Sequence, residues 1–287
     1  MRKYPPLRIH DPARLVETGA TSTRREPPKN SSVRAVQYRP RNMLVLSGGG
    51  ANGTYTAGVL AGWSERGDRP VFDVVTGISI GAIIAPFAFL GSDYDDILVH
   101  NSRLRGRDIY RRRSLPALLW SDSLADSAPL QRRLNELVTD ELLDEIAQEH
   151  ENGRRLYVGT TNLDTKKLVV WDMGAIASGD DPDKLKLFRK ILLASAAVPP
   201  LLPSVPIHVE VNGNRHTELH VDGGTTAALF LHPSMLGVES SKSPPVSSRD
   251  QNVYVILASS LQQPVSPVER TITRVAGESL SSVLHAK

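Results

Sequence analysis

The chain has 287 residues, 40 % of them hydrophobic, with a formal net charge of +3 and no cysteine. That length serves one large α/β domain or two small ones, and the missing cysteine excludes disulfides, thiolate catalysis and cysteine-bound zinc. The charge is too mild to imply nucleic-acid binding, and no apolar run reaches the roughly 18 residues that span a bilayer.

Residues 1–40 are rich in Pro, Arg, Ser and Thr and show no apolar period. They are expected to form a disordered or loosely packed arm, with one domain over 41–287. The start, Met1-Arg2-Lys3-Tyr4-Pro5-Pro6, is basic but has no apolar stretch behind it, so no cleaved secretory signal is expected. A cytoplasmic or peripheral membrane location is the default reading. Order begins at Met43-Leu44-Val45-Leu46, a short buried strand, followed at once by Gly48-Gly49-Gly50-Ala51-Asn52-Gly53 and a helix over 54–66. Val71-Phe72-Asp73-Val74-Val75-Thr76 reads as a second buried strand. Gly77-Ile78-Ser79-Ile80-Gly81 follows, then the apolar helix starting at Ala82.

Strand, turn and helix around G-x-S-x-G form the setting in which a serine becomes a nucleophile on a strained elbow. Two successive strand–loop–helix units also imply a right-handed crossover and parallel strands. The glycine loop after the first strand has free backbone N–H groups and opens a helix, a place that favours an anion. One reading is a dinucleotide site over Gly48 to Gly53. Its acidic partner would be Asp73, which has about the right spacing but stands near the start of its strand. The other reading joins loop and elbow at one sheet edge, so that backbone N–H groups of the loop hold the oxyanion of an acyl-transfer intermediate.

The stretch 94–150 is expected to be mostly helical, with strands at 156–161 and 168–171. A helix over 185–197 is stopped by Pro199 and Pro200. Strands near 205–211 and 216–221 lead to Asp222-Gly223-Gly224, an ionisable residue at a strand end that can take the serine proton. Ser240 to Asp250 is a polar loop, 253–257 a buried strand, and 266–285 a candidate last helix. His232 and His285 follow the acid, as a histidine-containing triad would require; His208, His216 and His220 precede it. Arg103, Arg105, Arg107, Arg111, Arg112 and Arg113 form a local basic cluster. It is either a solvated face or a contact for anionic lipid headgroups.

Ser47-Gly48-Gly49-Gly50-Ala51-Asn52-Gly53, Gly77-Ile78-Ser79-Ile80-Gly81 and Asp222-Gly223-Gly224, in this order, resemble the patatin-like phospholipases. These are lipid acyl hydrolases with a serine–aspartate dyad. Ala194-Ser195-Ala196-Ala197-Val198-Pro199 looks like a further stretch of that family, and the resemblance covers about residues 42–260. It implies a three-layer α/β/α sandwich around a mainly parallel sheet. Ser79 would be the nucleophile and Asp222 the general base. Gly48, Gly49 and Gly50 would form the oxyanion hole, with Gly53, Gly77, Gly81, Gly223 and Gly224 supporting these motifs. The substrate would be a lipid or phospholipid ester, with no metal or organic cofactor implied. Asn52 stands where a basic residue is frequent in the family, Ser47 where an Asp is, and Leu202 where a Phe is. The rival readings are an α/β-hydrolase-type esterase with a histidine triad, the dinucleotide-binding protein, and a lipid-binding or regulatory protein on the same fold with little turnover.

Overall fold

Strand alternation decides the layering, because successive side chains point to opposite faces of a sheet. Residues 41–102, 111–112, 123–211, 214–232, 235 and 251–258 are described by a computed structural model. The arm 1–40, the arginines 103, 105, 107 and 113, the loop 240–250, the candidate helix 266–285 and His285 lie outside the described residues.

The first strand, β1 (Arg41–Leu46), runs parallel to β2 (Val74–Ile78), which runs parallel to β5 (Arg155–Asn162). On its other side β1 pairs in parallel with β9 (Gln251–Ile256). Helix α1 (Gly53–Arg66) links β1 to β2, and α2 (Ile80–Leu90) leaves β2. Helices α3 (Asp95–Ser102), α4 (Ala128–Leu137) and α5 (Asp140–Glu151) precede β5, interrupted by the short antiparallel pair β3 (Arg111–Arg112) and β4 (Ala125–Asp126). Then come β6 (Lys167–Asp172), α6 (Met173–Ala177), α7 (Lys184–Ser195), β7 (Val205–Val211) and β8 (Asn214–Asp222).

The fold is α/β as expected, with a mixed sheet: β6 and β8 each pair antiparallel with β5, and β7 antiparallel with β8. Leu44, Leu46, Val75, Leu156 and Val158 face the larger apolar cluster, where α1, α2, α4, α5 and α7 bury Leu60, Phe89, Leu134, Ile146 and Phe188. Their neighbours Met43, Val74, Ile78 and Tyr157 face a second cluster, closed by Phe230 and Met235.

One sequence reading needs correction. The strand near 253–257 is not buried: Val253 and Val255 are 46% and 48% exposed, because β9 is the edge of the described sheet. Arg111 forms an exposed ion pair with Asp126 at 3.2 Å across the β3–β4 pair. Among the described residues no helix is long and apolar enough to cross a membrane.

The use made of β5 positions the site. Its residues 155–159 pair with β2, 157–162 with β6 and 160–162 with β8. A strand has two edges, and the overlap with β6 forces β2 and β8 onto the same one. The two strands therefore meet end to end along β5: Ile78 is opposite Gly159, and Asp222 is opposite the next residue, Thr160.

Candidate active site at the Ser79 elbow

At the end of β2 the chain turns sharply, and Ser79 takes φ 56° and ψ −124°. A positive φ in a serine is strained by roughly 1–3 kcal/mol and persists only where the surroundings hold it. Here they do. The Ser79 N–H donates to Ser195 Oγ at 3.0 Å, and the Ser195 hydroxyl donates to the Gly159 carbonyl at 2.7 Å. The turn also needs bare backbone. A Cβ on Gly77 would stand 2.5 Å from the Gly81 carbonyl, and one on Gly81 2.6 Å from the carbonyls of Leu46 and Ser47. The elbow thus lies directly on the end of β1, where the glycine loop starts.

That loop is anchored at its base. Ser47 N–H donates to the Ile256 carbonyl, its Oγ accepts from Ala258 N–H at 2.9 Å, and its hydroxyl donates to the Gly48 carbonyl. Gly48 N–H donates to the Ala228 carbonyl at 3.3 Å. With its donor occupied in this way, Gly48 sits at the base of the loop, against the Cβ of Ser79. The N–H groups of Gly49 and Gly50 have no acceptor among the described residues. Gly53 opens α1 against Ile80, where any side chain would collide.

Asp222 ends β8 and is 4% exposed. Its N–H donates to the Ala197 carbonyl at 2.9 Å, and its Oδ1 accepts from Gly224 N–H at 2.7 Å. Gly223 lies flat on β5: a Cβ there would be 2.5 Å from the Gly159 carbonyl and 3.2 Å from Ile78. Gly159 and Gly223 together let the β8 end come this close to β2. Burial pushes the Asp222 carboxyl up to about 6, against the opposing pull of the Ser79 hydroxyl and the Gly224 N–H. The second oxygen, Oδ2, is buried and makes no hydrogen bond of regular geometry, so the Ser79 interaction is loose. Loose contacts of this kind in an unliganded site tighten when substrate binds.

The end of α7 is the element that the sequence reading undervalued. Ser195 holds the elbow and Ala197 holds Asp222, so one helix end sets both residues. The signal was the Ala194–Pro199 stretch: a fully buried serine closing an apolar helix face needs two hydrogen-bond partners inside the protein.

Asp73, His220 and His208 are engaged elsewhere. Asp73 accepts from Asn42 N–H at 2.8 Å at the far end of β1, so it cannot face a ligand on the Gly48 loop. His220 is enclosed, with Nδ1 at 2.9 Å from Thr160 Oγ1 and Nε2 at 3.2 Å from Glu218. His208 bonds Thr217. Among the described residues no histidine hydrogen-bonds Ser79 or Asp222. No group of three His, Asp or Glu side chains among them could hold a metal.

A sequence model of the patatin-like phospholipase family matches residues 44–234, a span that contains the glycine loop, the elbow and Asp222. The chain belongs to the patatin-like phospholipase family. Patatin-like architecture accounts for the α/β layering and for the order of the three motifs. Among solved structures the chain is similar to VipD from Legionella pneumophila at 12% identity and a TM-score of 0.36. That likeness covers 76% of this chain and half of VipD. No curated protein matches the sequence.

Proposed function

We propose that the protein is a serine acyl hydrolase that cleaves lipid esters through Ser79 and Asp222. The observation that carries this reading is the free, buried Oδ2 of Asp222 beside the hydroxyl of a strained serine. Asp222 Oδ2 takes the proton as Ser79 Oγ attacks the ester carbonyl. The Gly49 and Gly50 N–H groups receive the oxyanion, each worth about 3–4 kcal/mol of transition-state stabilisation in comparable sites. The N-terminus of α2, which begins at Ile80, adds a favourable dipole. The carbon–oxygen bond to the alcohol or lysolipid breaks, and that oxygen takes the proton from Asp222. Water then gives a proton to Asp222 and attacks the acyl-enzyme, and the returning proton restores Ser79 as the fatty acid leaves.

A carboxyl near 6 suits this work better than one at 3.8, because at neutral pH it is ionised and yet more basic. Docking on anionic headgroups through the 103–113 arginines belongs to the same proposal, with Arg111 discounted for its bond to Asp126. The test is release of fatty acid from short-chain esters and from phospholipid vesicles. Wild-type protein should turn over at least one of them, and Ser79→Ala should lose at least a thousandfold in kcat while remaining folded. Undiminished hydrolysis by Ser79→Ala would overturn the reading.

A further inference from the structure

Helix α7 has a second use on the side away from the elbow. It borders a cleft of about 590 Å³ between α4 and β7, lined by Ser127, Gln131, Lys186, Arg189 and Lys190 and walled by Leu193 and Val205. Three cations and no carboxylate line this cleft. Arg189 is fixed there by donating to the Val138 carbonyl at 2.6 and 2.8 Å and to the Asn135 carbonyl at 3.0 Å, so its charge meets no acid. Lys186 and Lys190 sit one turn apart on the same face, a repulsive spacing. Neither has a hydrogen bond or ion pair among the described residues, and each charge acts on the other. Ser127 precedes α4, but its hydroxyl does not cap that helix, so it remains available as a donor.

We infer that this cleft binds a phosphate-bearing anion. Two unpartnered ammonium groups beside a fixed guanidinium supply charge-assisted donors to the same place. The volume falls in the range of small-ligand sites, about 300–1,000 Å³, well beyond the needs of a bare phosphate. The buried faces of Leu134 and Val205 give an organic portion a wall. The shared chemistry is therefore a phosphate ester with a small organic portion, carried either on a soluble metabolite or on a lipid headgroup. The site is separate from the elbow: Lys186 precedes Ser195 by nine residues, roughly 13 Å along the helix axis. It does not depend on Ser79 being a nucleophile.

The experiment uses the full chain carrying Ser79→Ala, so that no probe is consumed. Glycerol 3-phosphate is titrated by calorimetry, and co-flotation is measured with phosphatidylcholine vesicles with and without phosphatidylglycerol. The same two assays are run with Lys186→Gln/Lys190→Gln and with Lys166→Gln/Lys167→Gln, which removes the same charge from an exposed hairpin. At least one probe should bind saturably, at least tenfold more weakly to the cleft pair and within twofold of the parent for the hairpin pair. Binding of glycerol phosphate identifies a soluble ligand; binding of anionic vesicles alone identifies a headgroup. Failure of both probes to bind, or binding that the two double variants change equally, overturns the inference.

Discussion

Ser195 is fully buried and makes two hydrogen bonds that no other side chain can replace. Ser195→Ala leaves the Ser79 N–H and the Gly159 carbonyl unpaired, a cost of about 1–3 kcal/mol for each buried polar group. We expect a lower melting temperature and a kcat reduced ten- to a hundredfold with KM unchanged, because the elbow loses its orientation while Ser195 itself is fully buried and does not reach a substrate. Asp222 allows a cleaner separation of stability from activity. Its carboxyl is about 6 in the fold against 3.8 outside it, so the fold holds the proton more tightly. Its contribution to stability is fully present below about pH 4 and is lost as pH rises through 6, a change of roughly 3 kcal/mol. Asp222→Asn should therefore unfold at a higher temperature than wild type at pH 7–8, with no such gain at pH 4, while its activity disappears. For the wild type, kcat/KM should fall tenfold per pH unit below about pH 6 and stay level above it, as expected of one essential carboxylate. A second acid-side pKa carried by a histidine would change that slope.

Among the elements, the meeting of β2 and β8 along one edge of β5 brings the two residues together. Gly223→Ala tests it, since the new methyl would press on the Gly159 carbonyl. Overpacking of this kind costs about 1–3 kcal/mol. The β8 end should be pushed off β5, giving loss of activity larger than the loss of stability, read as kcat beside a thermal melt. This contact also marks how far the sequence could be read. Ser79, Asp222 and the glycine loop were legible because each sits in a short pattern whose residue types state the chemistry. Ser195 was visible as part of a motif, but its partners lie 116 and 36 residues away, and no local pattern carries them. The same reason hid the Gly48 donor, which is taken by Ala228 from a distant loop. Strand β9 was read as buried because Val253, Val255 and Ile256 form an apolar run; edge position depends on partners, not on composition.

At the level of the whole molecule, a buried arginine ties the helices to the sheet. Arg154, just before β5, donates to the carbonyls of Phe72 and Phe89, pairs with Glu149 at 2.8 Å and lies over the Phe89 ring at 4.3 Å. It thereby joins the approach to β2, the end of α2 and the end of α5. Removing one partner of a buried pair costs about 3–5 kcal/mol. Arg154→Ala should lower the unfolding free energy, read from denaturant melts, by that much, and Glu149→Gln by clearly less, because the two carbonyl contacts remain. The α/β class and its parallel half followed from strand–loop–helix repetition, whereas the antiparallel half did not, since hairpin order in β7 and β8 does not reveal which edge of β5 receives them.

The central claim is that Ser79 is activated by its surroundings, and covalent labelling with a fluorophosphonate reads this most directly. Intact mass and peptide mapping of labelled wild type, Ser79→Ala and Asp222→Asn should give one adduct on the peptide containing Ser79 in the wild type, none in Ser79→Ala and at least a hundredfold slower labelling in Asp222→Asn. An unlabelled wild type, or equal labelling rates with and without the Asp222 carboxylate, would contradict it.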